Sequence, residues 1–336
     1  MSAPLSPTGY EAARTSAGII DRHHERGRLV VSGADRRSYL HGLLTNDITA
    51  LTPGSGCYAC YLTAQGRMIT DLWVHELGDV LLLTLPLQTK DGVLAKLDQF
   101  IFSEDVQLGD VTTTFADVAV VGPKAAAVLS SALSEVDAAR LDALPPGGNL
   151  RVVFRGEPAI VLCTTDLGPR GLEVLVGVAH AAALAGALRD AGAEDVSPEA
   201  AEVLRVEAGV PRFLRDMDEE TIPLEAGIES RAISLTKGCY VGQEVIIRVL
   251  HRGHGRVARK LVGLTVAGAT VPASGAAIAA EQAAIGQVTS AVRSPALDGP
   301  IALGYVHRDF ATPGARVRIG DAEATVTALP FAATGE

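Results

Sequence analysis

Lys237-Gly238-Cys239-Tyr240-Val241-Gly242-Gln243-Glu244 gathers a thiol, an ammonium, an aromatic ring, two glycines and a carboxylate into one short run. Behind it, Val245-Ile246-Ile247-Arg248-Val249-Leu250 is apolar enough to be buried. The glycines supply turn conformations, and Gln243 with Glu244 suits a first helical turn, so the run predicts a helix. Cys239 then sits just ahead of a helix N-terminus and two residues from Lys237, and both features favour a thiolate over a thiol. A cysteine between glycine and tyrosine also reads as a small buried hydrophobe.

Upstream, Ser197 and Pro198 open a helix that closes on Leu204-Arg205-Val206-Glu207-Ala208-Gly209-Val210-Pro211. Arg205 and Glu207 are two apart and cannot face each other on a helix, so each needs a separate partner. The acidic stretch 216–227 lacks EF-hand spacing and reads as a solvated loop. Downstream, six short β runs between 261 and 329, broken by Gly and Pro, predict a small barrel.

Before these elements, residues 27–33 read as a strand and 34–44 as a helix with Asp35 at its start. Residues 57–63 and 67–77 form a hairpin around Ala64-Gln65-Gly66, and 80–85 a third strand. Asp71 stands among apolar neighbours on the second of these strands and by pattern alone reads as an exposed residue on the polar face of a half-buried strand. Residues 88–102 carry a helical stripe. A strand at 115–121 runs through Gly122-Pro123 into a helix at 124–133, and 137–149 reads as a surface loop. Strands follow at 150–155, 159–164 and 172–176, with a helix at 180–191. Alternating strands and helices predict α+β layers similar to ferredoxin-like folds. The domains expected are a loose tail over 1–16, an α+β domain over 17–112, a second α+β domain with linker over 113–255, and the barrel over 256–330, the first two interleaved in space.

The chain has 29 Lys and Arg against 39 Asp and Glu, a net charge of −10, which argues against direct nucleic-acid binding. Its four cysteines are scattered, the pattern of a reducing, cytoplasmic compartment. No apolar run reaches the roughly 20 residues that span a bilayer, so no membrane association is expected. Cys57 and Cys60 are three apart on a strand and point to opposite faces; His251 and His254 make at most half a site. No metal is expected.

The Lys-Gly-Cys-Tyr-x-Gly-Gln-Glu run resembles the signature of YgfZ-type folate-binding proteins, which are linked to iron-sulfur cluster assembly and repair and to tRNA modification by iron-sulfur enzymes. These are similar in fold to the aminomethyltransferase, or T-protein, of the glycine cleavage system. Gly33-Ala34-Asp35 through Thr45-Asn46-Asp47, the 64–72 hairpin, Gly122-Pro123, Leu204 to Pro211, and Ala302 to Val306 with Pro313-Gly314 resemble the same family, which covers nearly the whole chain after its first fifteen or so residues. The resemblance implies a multi-domain T-protein-like fold that binds tetrahydrofolate or a one-carbon derivative in a central cavity, with Asp71 and Glu173 near its pterin and Cys239 at or near the rim. It implies Cys239 and Asp71 as catalytic residues and Asp71, Glu173, Arg205, Glu207, Lys237, Tyr240 and Gln243 as cofactor-binding residues. Arg248, Arg252 and Arg256 are candidates for the folate's anionic tail, and iron-sulfur carrier or client proteins are possible partners through Cys239. Two departures, Ala201 where the aminomethyltransferases carry an arginine and the Gly168-Pro169-Arg170-Gly171 turn, speak against glycine-cleavage chemistry. Three functions stay in play: a folate-binding factor for iron-sulfur cluster assembly, a folate-dependent transferase or demethylase acting on a small amine, and a non-catalytic adaptor with a vestigial pocket.

Overall fold

The computed structural model describes residues 6–168, 170–252, 256–281 and 283–331. The chain opens with helix α1 (Tyr10–Thr15) and strand β1 (Gly18–Asp21), then β2 (Arg26–Ser32), α2 (Arg36–Leu43), β3 (Gly56–Leu62), β4 (Met68–Glu76), β5 (Leu81–Pro86), α3 (Lys90–Asp98) and β6 (Gln107–Asp110). It continues through β7 (Phe115–Val121), α4 (Ala125–Ala132), α5 (Ala138–Asp142), β8 (Asn149–Phe154), β9 (Glu157–Thr164), β10 (Gly171–Gly177), α6 (Ala181–Asp190), β11 (Glu194–Asp195) and α7 (Pro198–Glu207). Two short helices, α8 (Glu229–Ala232) and α9 (Gln243–Ile247), precede six barrel strands: β12 (Arg259–Val266), β13 (Ala277–Ala280), β14 (Ala283–Ser294), β15 (Gly299–His307), β16 (Arg316–Ile319) and β17 (Ala322–Thr327).

Period-two alternation builds the layers, because successive strand side chains point to opposite faces. In the five-stranded sheet β3-β4-β5-β2-β6, one face carries Leu29, Val31, Ala59, Tyr61, Leu72, Val74, Leu81 and Leu83 and packs under α2 and α3. In the six-stranded sheet β11-β1-β7-β10-β9-β8, Val118, Val120, Val161, Leu172 and Val174 pack under α4, α5 and α6. The two remaining faces meet, with Leu82 of one sheet in the same cluster as Leu162 and Leu175 of the other. The result is helix, sheet, sheet, helix, and the facing sheets enclose the polar site. Strand β1 belongs to the second sheet although it precedes β2, so the chain crosses from one sheet to the other and back.

The barrel closes in the order β12-β15-β14-β13-β16-β17 around Leu264, Ile278, Val288, Ala302, Val306 and Val326. It is held to the rest by α7, whose N-terminus is capped by Ser197 Oγ accepting from the Ala200 amide at 3.1 Å, with Pro198 at its first position.

Four local expectations need correction. The stretch 216–227, expected as a solvated loop, buries Asp216, Met217, Thr221, Leu224 and Ala226, because Arg205 holds the Asp216 carboxylate and the apolar side chains join the cluster of Tyr58 and Trp73. Residues 10–15 of the expected loose tail form α1, because Tyr10 buries its ring and donates its hydroxyl to Glu207 at 2.8 Å; residues 1–5 lie outside the described residues. The expected loop 137–149 contains α5, where Asp137 caps the Arg140 amide at 2.8 Å and Leu141 enters the core. The helix expected over 88–102 is a 3-10 turn followed by α3, and it stops at Asp98. Among the described residues no helix is long and apolar enough to cross a membrane.

Candidate functional site

Strand β4 sends Asp71, Trp73 and His75 to its inter-sheet face, since they alternate with Leu72 and Val74 on the helix-covered face. Asp71 is buried. Its Oδ2 accepts from the Tyr58 hydroxyl at 2.6 Å, whereas its Oδ1 is buried without a partner. Burial raises the Asp71 carboxyl above the ordinary range, with the Tyr58 hydrogen bond pulling the other way. The Arg231 guanidinium, from α8, lies 4.4 Å from the centre of the Tyr58 ring.

Beside Asp71, the Trp73 indole donates to Asp166 at 2.9 Å, and Arg26 lies 3.4 Å from the same carboxylate. Burial pushes Asp166 up, but Arg26, Arg22 and Arg231 outweigh it and hold the carboxyl below its ordinary range. From the opposite sheet, Glu173 accepts from Arg22. Burial lifts the Glu173 carboxyl above its ordinary range, against the pull of Arg22. Arg28 and Asp117 pair across the sheets at 3.2 Å with both side chains fully buried. A cavity of about 240 Å³ opens onto this network; Arg22, His24, Arg26, Pro86, Arg212 and Leu214 are among its lining.

The network links Asp71 and Glu173 through Arg22, Arg26 and Asp166. These intermediaries, with Tyr58, Trp73 and Arg231, were not expected from the sequence. The signal for the arginines was present: Arg26 and Arg28 alternate within an otherwise apolar strand, where a solvent-facing row would carry no buried anion partner.

Arg205 and Glu207 are not part of this site. Arg205 donates to Asp216 at 2.7 Å, to Glu202 at 2.6 Å, to Ser290 of the barrel at 2.8 Å and to the Val210 carbonyl at 2.6 Å. Glu207 accepts from Tyr10 at 2.8 Å, Arg14 at 3.1 Å and Ser294 at 2.5 Å. Both side chains are spent tying α7 to the barrel, and in the case of Glu207 to α1. The expectation of separate partners holds. Arg256 likewise lines a different cavity, about 530 Å³, at the barrel edge with Lys260 and Arg308. Arg248 is exposed. Among the described residues, the cations lining the cavity beside Glu25 are Arg22, Arg26, Arg212 and Arg215.

The helix expected from Gln243 forms as α9, while the Lys237 side chain is committed to backbone carbonyls elsewhere. Lys237 turns inward, and its ammonium donates to the carbonyls of His41, Leu44 at 2.6 Å and Asn46 at 3.0 Å; burial pulls it down to about 8. It therefore braces the exit of α2. Thr45 and Asn46 complete the clasp: Thr45 donates to the Ala232 carbonyl at 2.6 Å, and Asn46 to those of Tyr58 at 2.8 Å and Arg231 at 3.1 Å. Tyr240 is buried in the cluster that also holds Tyr58, Cys60 and Trp73, behind Asp71. Gln243 is half-buried at the start of α9. Gly242 must be glycine: its φ is +85°, and a Cβ would fall 2.5 Å from the Thr63 carbonyl oxygen at the hairpin.

Cys239 is exposed, which removes the buried-hydrophobe reading. Cys57 packs with the helix-side cluster and Cys60 with the inter-sheet one, so they do face apart. His254, Gly253, Gly255 and Pro169 lie outside the described residues.

Residues 6–237 match the GCVT N-terminal domain family, and residues 259–332 match the glycine cleavage T-protein C-terminal barrel domain. An aminomethyltransferase of Rubrobacter xylanophilus is 34% identical over 88% of this chain and 78% of its own length. One from Nostoc sp. is 30% identical over 91% and 81%. The crystal structure of glycine cleavage system aminomethyltransferase T from Bartonella henselae superimposes with a TM-score of 0.86 at 25% identity, covering 96% of this chain and 88% of that one. With both domains matched in order, the chain belongs to the glycine cleavage T-protein family, within the aminomethyltransferase-like superfamily.

Proposed function

We propose that this chain binds tetrahydrofolate or a one-carbon derivative between its facing sheets and supports iron-sulfur cluster assembly or repair through Cys239, affecting tRNA modification only through iron-sulfur enzymes. The observation that carries the folate half is Asp71: a buried carboxylate with one oxygen fixed by Tyr58 and the other unsatisfied. A buried acceptor without a partner is costly, and a ligand that donates N–H groups, as a pterin does, relieves that cost. The donor set therefore fits the group. Tetrahydrofolate would supply an amine able to carry a one-carbon unit. The chain's own part is to orient that amine through Asp71, to exclude water with Tyr58 and Trp73, and to hold a proton on the raised Asp71 or Glu173 carboxyl.

What supports the iron-sulfur half is the exposure of Cys239 on a segment braced by Lys237. One thiolate does not hold a cluster alone, so the other ligands would come from a partner protein or a small thiol. The relatives named aminomethyltransferase, together with the carboxylates of the chamber, favour a second reading, folate-dependent transfer or demethylation on a small amine.

Calorimetric titration of the purified protein with tetrahydrofolate tests the first half. Asp71→Ala is expected to weaken binding about tenfold, the effect of leaving a buried polar partner without its hydrogen bond. No saturable binding by a folded wild type would leave only the adaptor. Cys239→Ser is expected to abolish support of an iron-sulfur enzyme in cells lacking the protein, with tetrahydrofolate affinity within about twofold of wild type, because a surface side chain outside the cavity contributes little. Full support by Cys239→Ser, with folate-dependent turnover of a methylated amine, would establish the transferase reading instead.

A further inference from the structure

Among the described residues, five non-glycine residues have positive φ: Glu135, Arg155, Leu214, Glu281 and Asp298. Four are polar or charged. Leu214, at φ 68°, is the apolar one, and a bulky side chain in left-handed backbone is a genuine outlier. It is also 51% exposed. A strained backbone that presents an apolar side chain to solvent gains nothing from packing, so the strain calls for another use.

The surroundings say what that use is. Leu214 lines the 240 Å³ cavity that leads to Asp166 and Glu173 through Arg22 and Arg26. The turn beneath it is rigid. The Asp216 and Met217 amides donate to the Arg212 carbonyl at 2.8 and 3.2 Å, and the Leu214 amide donates to Met217 at 2.6 Å. Buried Asp216 is held by Arg205 at 2.7 Å and by the Arg212 amide at 3.1 Å. The strain is therefore maintained by a built support. Pro86 and Glu25 line the same cavity. On either side of Leu214 stand Arg212, 3.9 Å from the Glu25 carboxylate, and Arg215, 3.2 Å from Glu202. Both guanidiniums are partly exposed and can exchange these surface partners for a ligand's carboxylates. Apolar walls flanked by guanidiniums fit a flat aromatic ring that ends in carboxylates.

We infer that Leu214 is a specificity-determining residue at the mouth of the chamber, held in strained backbone so that its side chain covers the aromatic ring linking the ligand's deep heterocycle to its anionic tail, with Arg212 and Arg215 receiving the carboxylates. This rests on the folate reading and adds which part of the ligand is selected, and by what.

The test uses the full-length protein, two probes and two variants. Tetrahydrofolate carries ring and tail; 6-methyltetrahydropterin carries neither. Leu214→Ala keeps the strain and removes the wall, and is expected to weaken tetrahydrofolate about tenfold while leaving 6-methyltetrahydropterin within about twofold. Leu214→Gly is expected to show the same binding pattern with a Tm about 2 °C above wild type, since glycine adopts this backbone without strain. Unchanged tetrahydrofolate affinity in both variants overturns the inference and leaves folate binding standing. Equal losses for both probes, or a lowered Tm in Leu214→Gly, overturn it too, because Leu214 would then be a pterin wall or a packing residue. A wild type that binds neither probe sinks the folate reading and this inference together.

Discussion

Arg205→Ala is expected to lower unfolding free energy by about 3–5 kcal/mol, the range seen when one partner of a buried ion pair is removed. Arg205 is 1% exposed and satisfies acceptors on three elements: Glu202 within α7, Asp216 and the Val210 carbonyl in the following loop, and Ser290 on β14. Burial works against its charge, and the Glu202 and Asp216 carboxylates more than offset that, so its pKa is raised. Glu202 would keep Arg215 at 3.2 Å after truncation. Asp216 would keep only the Arg212 amide and Thr289, and its carboxylate is fully buried. The loss should therefore come mainly from stranding Asp216 and should loosen the barrel from α7. Arg205→Lys restores charge without the planar fork and should fall between the two. Chemical denaturation with the barrel and the layered region followed separately checks this. A variant that unfolds within about 0.5 kcal/mol of wild type, yet has lost tetrahydrofolate binding, would return Arg205 to the ligand.

The same residue shows what a sequence can and cannot carry. That Arg205 and Glu207 need separate partners follows from their spacing on a helix; that those partners lie on β14 and α1 does not, because the contacts join segments as far apart as Tyr10 and Glu207. Strand alternation was legible: it put Cys57 and Cys60 on opposite faces and marked Asp71 as a carboxylate among apolar neighbours. The barrel was legible for the same local reason, in short β runs broken by turns. The chamber was not. Its charges come from β1–β2, β4, β7, β10 and two loops; only the face-to-face stacking of two sheets brings Arg28 to Asp117, and only the strand order β1-β7-β10 brings Arg22 to Glu173. In the Lys237 to Glu244 run the lysine serves Thr45-Asn46-Asp47, a motif about 190 residues earlier, as the hydrogen bonds to Leu44 and Asn46 show. Local chemistry suggested a thiol and its cation; the fold uses the cation as a clasp and leaves the thiol outside.

Acidification from pH 7 to 4 is expected to cost the wild type roughly 3 kcal/mol of stability relative to His75→Asn. His75 is buried beside Trp73, their rings 6.2 Å apart and nearly parallel, and burial drives its pKa down from 6.5 to about 4. Its Nδ1 lies 3.0 Å from the Gly147 carbonyl oxygen, which can only accept, so Nδ1 carries the proton of a neutral ring. The unfolded chain therefore takes up a proton near pH 6.5 that the folded one refuses until about pH 4. Between those values the unfolded state binds more protons and stability falls as pH falls; above about 7 both forms are neutral, and well below 4 both are charged, so the difference levels off. Burial-raised Asp71 and Glu173 act in the opposite sense, holding protons in the folded state that the unfolded chain releases as pH rises. They are present in both proteins and largely cancel in the difference. Asparagine can still donate to Gly147 but cannot titrate, so the difference isolates the imidazole. Denaturant unfolding of both proteins at half-unit steps should give a curve that is flat above pH 7 and climbs by up to about 1.4 kcal/mol per unit below 6.5. A difference independent of pH would mean that the folded state admits a charged imidazole, and with it water or a counter-charge, into the layer that holds Asp71.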